Sequence, residues 1–116
     1  MSEQTFHPAL VLNELPPGRM RCITVAGREV LLCHSREGVF ALENICTHAF
    51  ARMDEGRLRG VRLICPLHGA SFDVRDGRVL GPPASKPLRR YAARIVEGMI
   101  EVALGEDGQG GPAGAG

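Results

Sequence analysis

Four residues in this chain have the types and spacing to do chemistry: Cys46 and His48 in Cys46-Thr47-His48, and Cys65 and His68 in Cys65-Pro66-Leu67-His68. As a pattern they read C-x-H, sixteen residues, then C-x2-H. Each half sets one thiolate beside one imidazole on a very short loop. Two thiolates and two imidazoles form a metal-ligand set. A pair of sulfide-bridged irons can use it, thiolates on one metal and imidazoles on the other. Zinc also accepts two cysteines and two histidines, but common zinc fingers pair cysteine with cysteine and histidine with histidine. The mixed pairs here fit that arrangement poorly. No constellation for serine or cysteine catalysis accompanies them. A 2-His-1-carboxylate iron module is absent outside the motif, so turnover of an organic substrate is not expected.

The loops need a scaffold, and composition says which kind. With 116 residues the chain is long enough for one domain with a modest core. Fifteen glycines and eight prolines call for many turns, and the apolar residues are mostly aliphatic, with no Trp and one Tyr, Tyr91. No helical period persists beyond about two turns. The reading is all-β.

Along the chain, an apolar run from Pro8 to Leu15 stops at Pro16-Pro17-Gly18. Residues 19–34 read as a hairpin turning at Ala26-Gly27-Arg28, and Val39 to Leu42 as a third strand leading into the first Cys-His loop. Short strands are expected at 57–59, 61–65, 71–74 and 78–80, with Asp76-Gly77 as a tight turn. A last hairpin, 90–96 with 99–104, turns at Glu97-Gly98 and should pair back with the N-terminal strands. Residues 1–104 then form a single domain carrying an inserted β-unit at about 44–84. Residues 105–116 lack large apolar side chains and read as a disordered Gly-rich tail.

Net charge is +1, from 14 basic and 13 acidic residues, without a basic stripe, so nucleic acid is not expected as a partner. Thirteen of the basic residues are Arg; Lys86 is the only lysine. The N-terminus lacks an apolar leader, and no run reaches the roughly 18 residues of a membrane span. A cytoplasmic protein without a membrane segment is the expectation. In that compartment Cys22 and Cys33, both in apolar strands, are expected to be buried thiols rather than a disulfide. His7 and His34 lack ligand spacing and read as ordinary surface or strand residues.

The four-residue pattern resembles the Rieske family, and the resemblance extends over roughly residues 5–104. It includes the continuation Gly69-Ala70-Ser71-Phe72-Asp73, then Gly77-Arg78-Val79 and Gly81-Pro82-Pro83-Ala84. The resemblance implies a Rieske-like fold of antiparallel sheets with an inserted cluster-binding β-subdomain. It also implies one [2Fe-2S] cluster per chain, with Cys46 and Cys65 on one iron and His48 and His68 on the other. Histidine ligands make such a cluster less negative than a four-cysteine one by about two charges, which raises its potential.

Within the family the likeness is to the ferredoxins of bacterial ring-hydroxylating oxygenase systems. The implied role is a soluble, monomeric one-electron carrier, not an enzyme. Its partners would be a flavin-dependent NAD(P)H reductase and a terminal oxygenase of aromatic hydroxylation. The alternative is a small Rieske-like subunit of a larger reductase such as nitrite reductase. High-potential members add a disulfide between the ligand loops and a serine after the glycine. Here those positions are Ala51, Leu67 and Ala70, so a low potential is expected. Gly69 is expected to let backbone N–H groups face the cluster, Pro82-Pro83 to form a rigid wall beside it, and Phe50 and Leu67 to provide apolar cover.

Overall fold

The computed structural model describes residues 5–47, 51–67, 69–82 and 86–105. Ten strands form two antiparallel sheets. In chain order they are β1 (Phe6–Val11), β2 (Met20–Val25), β3 (Arg28–Ser35), β4 (Gly38–Glu43), β5 (Arg57–Arg59), β6 (Arg62–Ile64), β7 (Ser71–Asp73), β8 (Val79–Gly81), β9 (Arg90–Val96) and β10 (Met99–Ala103). The larger sheet runs β1-β10-β9-β4-β3-β2, and the smaller runs β5-β6-β7-β8. Two single-turn 3-10 segments, Leu12–Glu14 and Met53–Glu55, are the helical elements among the described residues. None of these is long and apolar enough to cross a membrane.

The expected elements are present, and the last hairpin returns to the N-terminal strand: β10 pairs with β1, and β9 with β4. Several boundaries differ by a residue, and the first strand differs most. The first strand begins at Phe6 and ends at Val11, because the apolar run then tightens into the 3-10 turn. Pro8 sits inside β1, where the register slips between Pro8 and Leu10. An edge strand tolerates a proline at such an irregularity because its outer N–H groups have no partner to lose.

Both main hairpins close with two-residue turns in which both residues have positive φ: Ala26 and Gly27 at 49° and 83°, Glu97 and Gly98 at 52° and 81°. That geometry matches the right-handed twist of the flanking strands. Glycine enters it freely, whereas Ala26 and Glu97 carry a steric cost.

Strand β3 holds the molecule together. Val30, Leu31, Leu32 and Cys33 are all fully buried, so neither face of this strand meets water. Val30 and Leu32 join Leu10, Val25, Tyr91, Ile100 and Val102 in the core of the larger sheet. Leu31 and Cys33 face the other way, into a second core with Leu42, Met53, Leu63, Phe72, Val74 and Leu88. That second core also contains Cys46 and Cys65. The continuous apolar run of β3 is what a doubly covered strand requires.

Cys22 departs from expectation. Cys33 is buried, but Cys22 is only half-buried because β2 is the sheet's edge. Neither is in a disulfide. The tail from residue 106 onward lies outside the described residues.

Two substitutions check this account. Ala26→Asn should raise stability by about 0.5–1 kcal/mol, since asparagine tolerates positive φ in this turn better. A raised thermal midpoint with an unchanged fold is the expected readout. Gly77→Ala should cost about 2–4 kcal/mol. There φ is +84° and an added Cβ would collide with the Leu88 carbonyl oxygen.

Candidate metal centre

The two Cys-His loops are closed in the same way. The Cys46 N–H donates to the Ala51 carbonyl at 2.8 Å, and the Cys65 N–H to the Ala70 carbonyl at 2.7 Å. In each case the bond spans five residues. One residue outside it, the chain pairs across the loop: Ile45 bridges Arg52, and Ile64 faces Ser71. Two unlike sequences, Cys-Thr-His-Ala-Phe-Ala and Cys-Pro-Leu-His-Gly-Ala, are thus set on the same frame.

The frame turns both thiols inward. Cys46 and Cys65 are 1% and 2% exposed and belong to the same apolar cluster. Burial pushes the Cys65 thiol up, and the Cys46 side chain is near enough to help; the Leu67 N–H, which donates to its Sγ at 3.4 Å, pulls the other way. Two adjacent buried thiols are poor places for negative charge unless a cation shares them. As a donor set they suit a soft metal.

Beside these sulfurs the described crown of the second loop and the turn at Pro82 face solvent. Pro66, Gly69 and Pro82 are exposed. Leu67 is 45% exposed, on the solvent side of the Cys65 loop. Gly69 has φ of +76° and an added Cβ would meet no neighbour, so its backbone conformation accounts for the glycine. His48, Phe50 and His68 lie outside the described residues, as does Pro83 of the expected proline wall. His34 is an ordinary strand residue as expected: its Nδ1 is 2.6 Å from the Leu15 carbonyl oxygen, pinning the turn ahead of β2.

Several supporting side chains were not singled out from the sequence. Thr47 donates from its hydroxyl to the Lys86 carbonyl at 2.7 Å, fastening the first loop to the segment after the Pro-Pro turn. Asn44 is buried and clamps the base of that loop. Its Nδ2 donates to Asp54 at 2.9 Å, and its Oδ1 accepts the Asp54 N–H at 2.9 Å. Asp73, buried at the end of β7, accepts from the Arg75 N–H at 2.9 Å and from the Arg75 guanidinium at 2.8 and 3.0 Å. A polar residue two positions before the first cysteine was the signal available for Asn44. For Asp73 the signal was an arginine two residues on, whereas the partner of Thr47 is brought in only by folding.

Arg75 holds the Asp73 carboxyl below its ordinary range, chiefly through the side-chain hydrogen bond. A carboxyl whose folded pKa is depressed stabilises the fold above its unfolded pKa. That contribution is lost as pH falls through the folded value. The thermal midpoint should therefore fall below about pH 4. Asp73→Asn should cost about 1–3 kcal/mol at neutral pH and flatten that acid limb. A variant whose midpoint matches the parent's at every pH would contradict the role given to Asp73.

Residues 5–92 match the Rieske [2Fe-2S] domain. Over 87 residues the chain is 39% identical to the ferredoxin component of the naphthalene 1,2-dioxygenase system of Pseudomonas aeruginosa, covering 75% of this chain and 84% of that protein. The ferredoxin of carbazole 1,9a-dioxygenase from Nocardioides aromaticivorans IC177 superposes with a TM-score of 0.81 at 34% identity, covering 85% of this chain and 97% of that one. A ferredoxin-sized chain in the complex of reduced oxygenase and oxidized ferredoxin of carbazole 1,9a-dioxygenase matches with a TM-score of 0.80 at 28% identity. That match covers 87% of this chain and 94% of the other.

Proposed function

The chain belongs to the Rieske [2Fe-2S] domain family, and from that premise we propose that it is a one-electron carrier delivering electrons to a terminal oxygenase that hydroxylates aromatic rings. A flavin-dependent NAD(P)H reductase is proposed as the source of those electrons. The reading is supported by relatives of nearly this chain's length that are ferredoxin components of dioxygenase systems. It is further supported by the carbazole system, where such a ferredoxin is seen in complex with its oxygenase. The chain is an electron-transfer component rather than a catalyst, and a monomer in the cytoplasm is proposed. No observation favours the alternative of a nitrite-reductase small subunit.

The observation that carries the site is the pair of buried, adjacent thiols on two identically closed loops. Cys46 and Cys65 are proposed to hold one iron, and His48 and His68 the other. The bound cluster would supply a centre that gains and loses one electron. This chain's own residues do the rest. The apolar core under the cysteines excludes water from the sulfur side, and the Leu67 N–H is aimed at Sγ of Cys65. The closing bonds at Ala51 and Ala70 brace the loop frame. Exposed Leu67, Pro66 and Pro82 offer a small, partly apolar contact face. That suits the brief, low-area encounters of redox partners.

A redox titration followed by EPR tests the reading. A rhombic Rieske-type signal on reduction is expected, with a midpoint towards roughly −150 mV, the low end for such clusters. Ala51 and Leu67 leave no loop-to-loop disulfide, and Ala70 offers no hydroxyl to sulfur. A midpoint above about zero would overturn the low-potential assignment. Cys65→Ser should abolish the signal and His68→Cys should abolish or transform it. If His48→Ala and His68→Ala both kept an unchanged spectrum, the ligand assignment would be wrong. A colourless protein containing zinc would remove electron transfer altogether.

A further inference from the structure

An open groove of about 540 Å³ runs between the edge of the larger sheet and the edge of the smaller one. Gly18, Arg19 and Met20 line one side, and Gly56 with strand β5 lines the other. Arg57 and Arg59 are two apart on β5, so both guanidinium groups rise on the same side of the strand. Arg59 lies directly opposite Arg62 of β6. Like charges facing each other across a sheet work against stability, yet here the pair closes the short hairpin. Arg62 donates to the Ser71 hydroxyl at 2.7 Å. The guanidinium groups of Arg19, Arg57 and Arg59 have neither an ion pair nor a hydrogen bond among the described residues. Asp54, the acid in the lining, is already held by Arg52 and Asn44.

The groove is therefore a strip of three arginines that no carboxylate among the described residues pairs with, Asp54 being held by Arg52, and it is rigidly mounted. Arg19 is fixed through the main chain, its carbonyl accepting the His34 N–H at 3.0 Å. Arg57 and Arg59 are fixed by pairing of β5 with β6. One end abuts the metal centre: at Gly56 an added Cβ would collide with the Ile64 carbonyl oxygen and meet Pro66 Cδ at 3.2 Å.

We infer that this groove docks an extended acidic segment on the surface of a redox partner. Arginines two residues apart on a strand stand about 7 Å apart, the spacing of alternate side chains on an extended partner segment. A row of carboxylates meets that spacing, and arginine forks bind carboxylates in a defined geometry. A phosphate group, by contrast, would want the cations to converge on one point. The charge would speed and orient the encounter beside the ligand loops. The inference rests on the electron-carrier reading for its purpose, but its test does not depend on electron flow.

The test is binding of a fluorescein-labelled hexaglutamate peptide to the cluster-bearing protein, followed by fluorescence anisotropy. Binding is expected at about 20 mM salt and its loss by about 300 mM, where exposed charges are screened. The double variant Arg57→Gln/Arg59→Gln should weaken it roughly tenfold. Arg36→Gln, an exposed arginine outside the groove, should leave it unchanged. An unaltered visible spectrum in both variants shows that the fold and cluster persist. Equal binding by the double variant and the parent would overturn the proposal. So would binding of inorganic tripolyphosphate with no binding of the peptide, which would make the groove a phosphate site. A protein that binds the peptide as expected but shows no redox-active cluster would sink the carrier reading alone.

Discussion

Strand β3 is the constraint on which the rest depends. It has no solvent face: alternate residues go into two different cores, one belonging to the larger sheet and one to the loop-bearing unit. Separating the two sheets would expose Leu31 and Cys33 together with the residues packed on them. That apolar area, at roughly 25 cal/mol per Å², holds the loop unit at a set orientation to the rest of the molecule. A site built on loops needs such a mounting, because loops by themselves have little to fix them.

The loops repeat this logic on a smaller scale. Each must turn its cysteine inward. A five-residue closing hydrogen bond with a paired residue just outside it achieves that twice, from sequences that share little beyond Cys and His. Polar clamps that would be costly if half-made are complete: no buried side-chain nitrogen or oxygen among the described residues lacks a partner. Asn44 with Asp54 stands at the base of the first loop, and Asp73 with Arg75 closes the far end of the β6–β7 ladder that carries the second.

Charge is distributed with a different purpose. The carboxylates of the loop-bearing unit are engaged internally, Asp54 by Arg52 and Asp73 by Arg75 and Arg78. The arginines of β5 are left over, on an edge strand beside the ligand loops. Unpaired arginines also protect a short edge from pairing with another chain, so one feature guards the fold and marks a surface for a partner.

Much of this was legible in the amino-acid order. The Cys-His spacing named the family, and alternating apolar runs with glycine turns located the strands, because a half-buried strand must repeat every two residues. The final hairpin's return to the N-terminus was also readable, since an unpaired sheet edge there would have been left open. Three features were decided only by the tertiary structure. Cys22 and Cys33 read alike, but burial depends on sheet order, and β2 is an edge while β3 is not. Leu67 is an apolar residue left in solvent while Cys65, two residues before it, is buried, and only the folded loop separates the two. The Thr47 contact with Lys86 joins residues 39 apart in the chain. Local propensity cannot see such a partner; only packing two loops against one core brings them within a hydrogen bond.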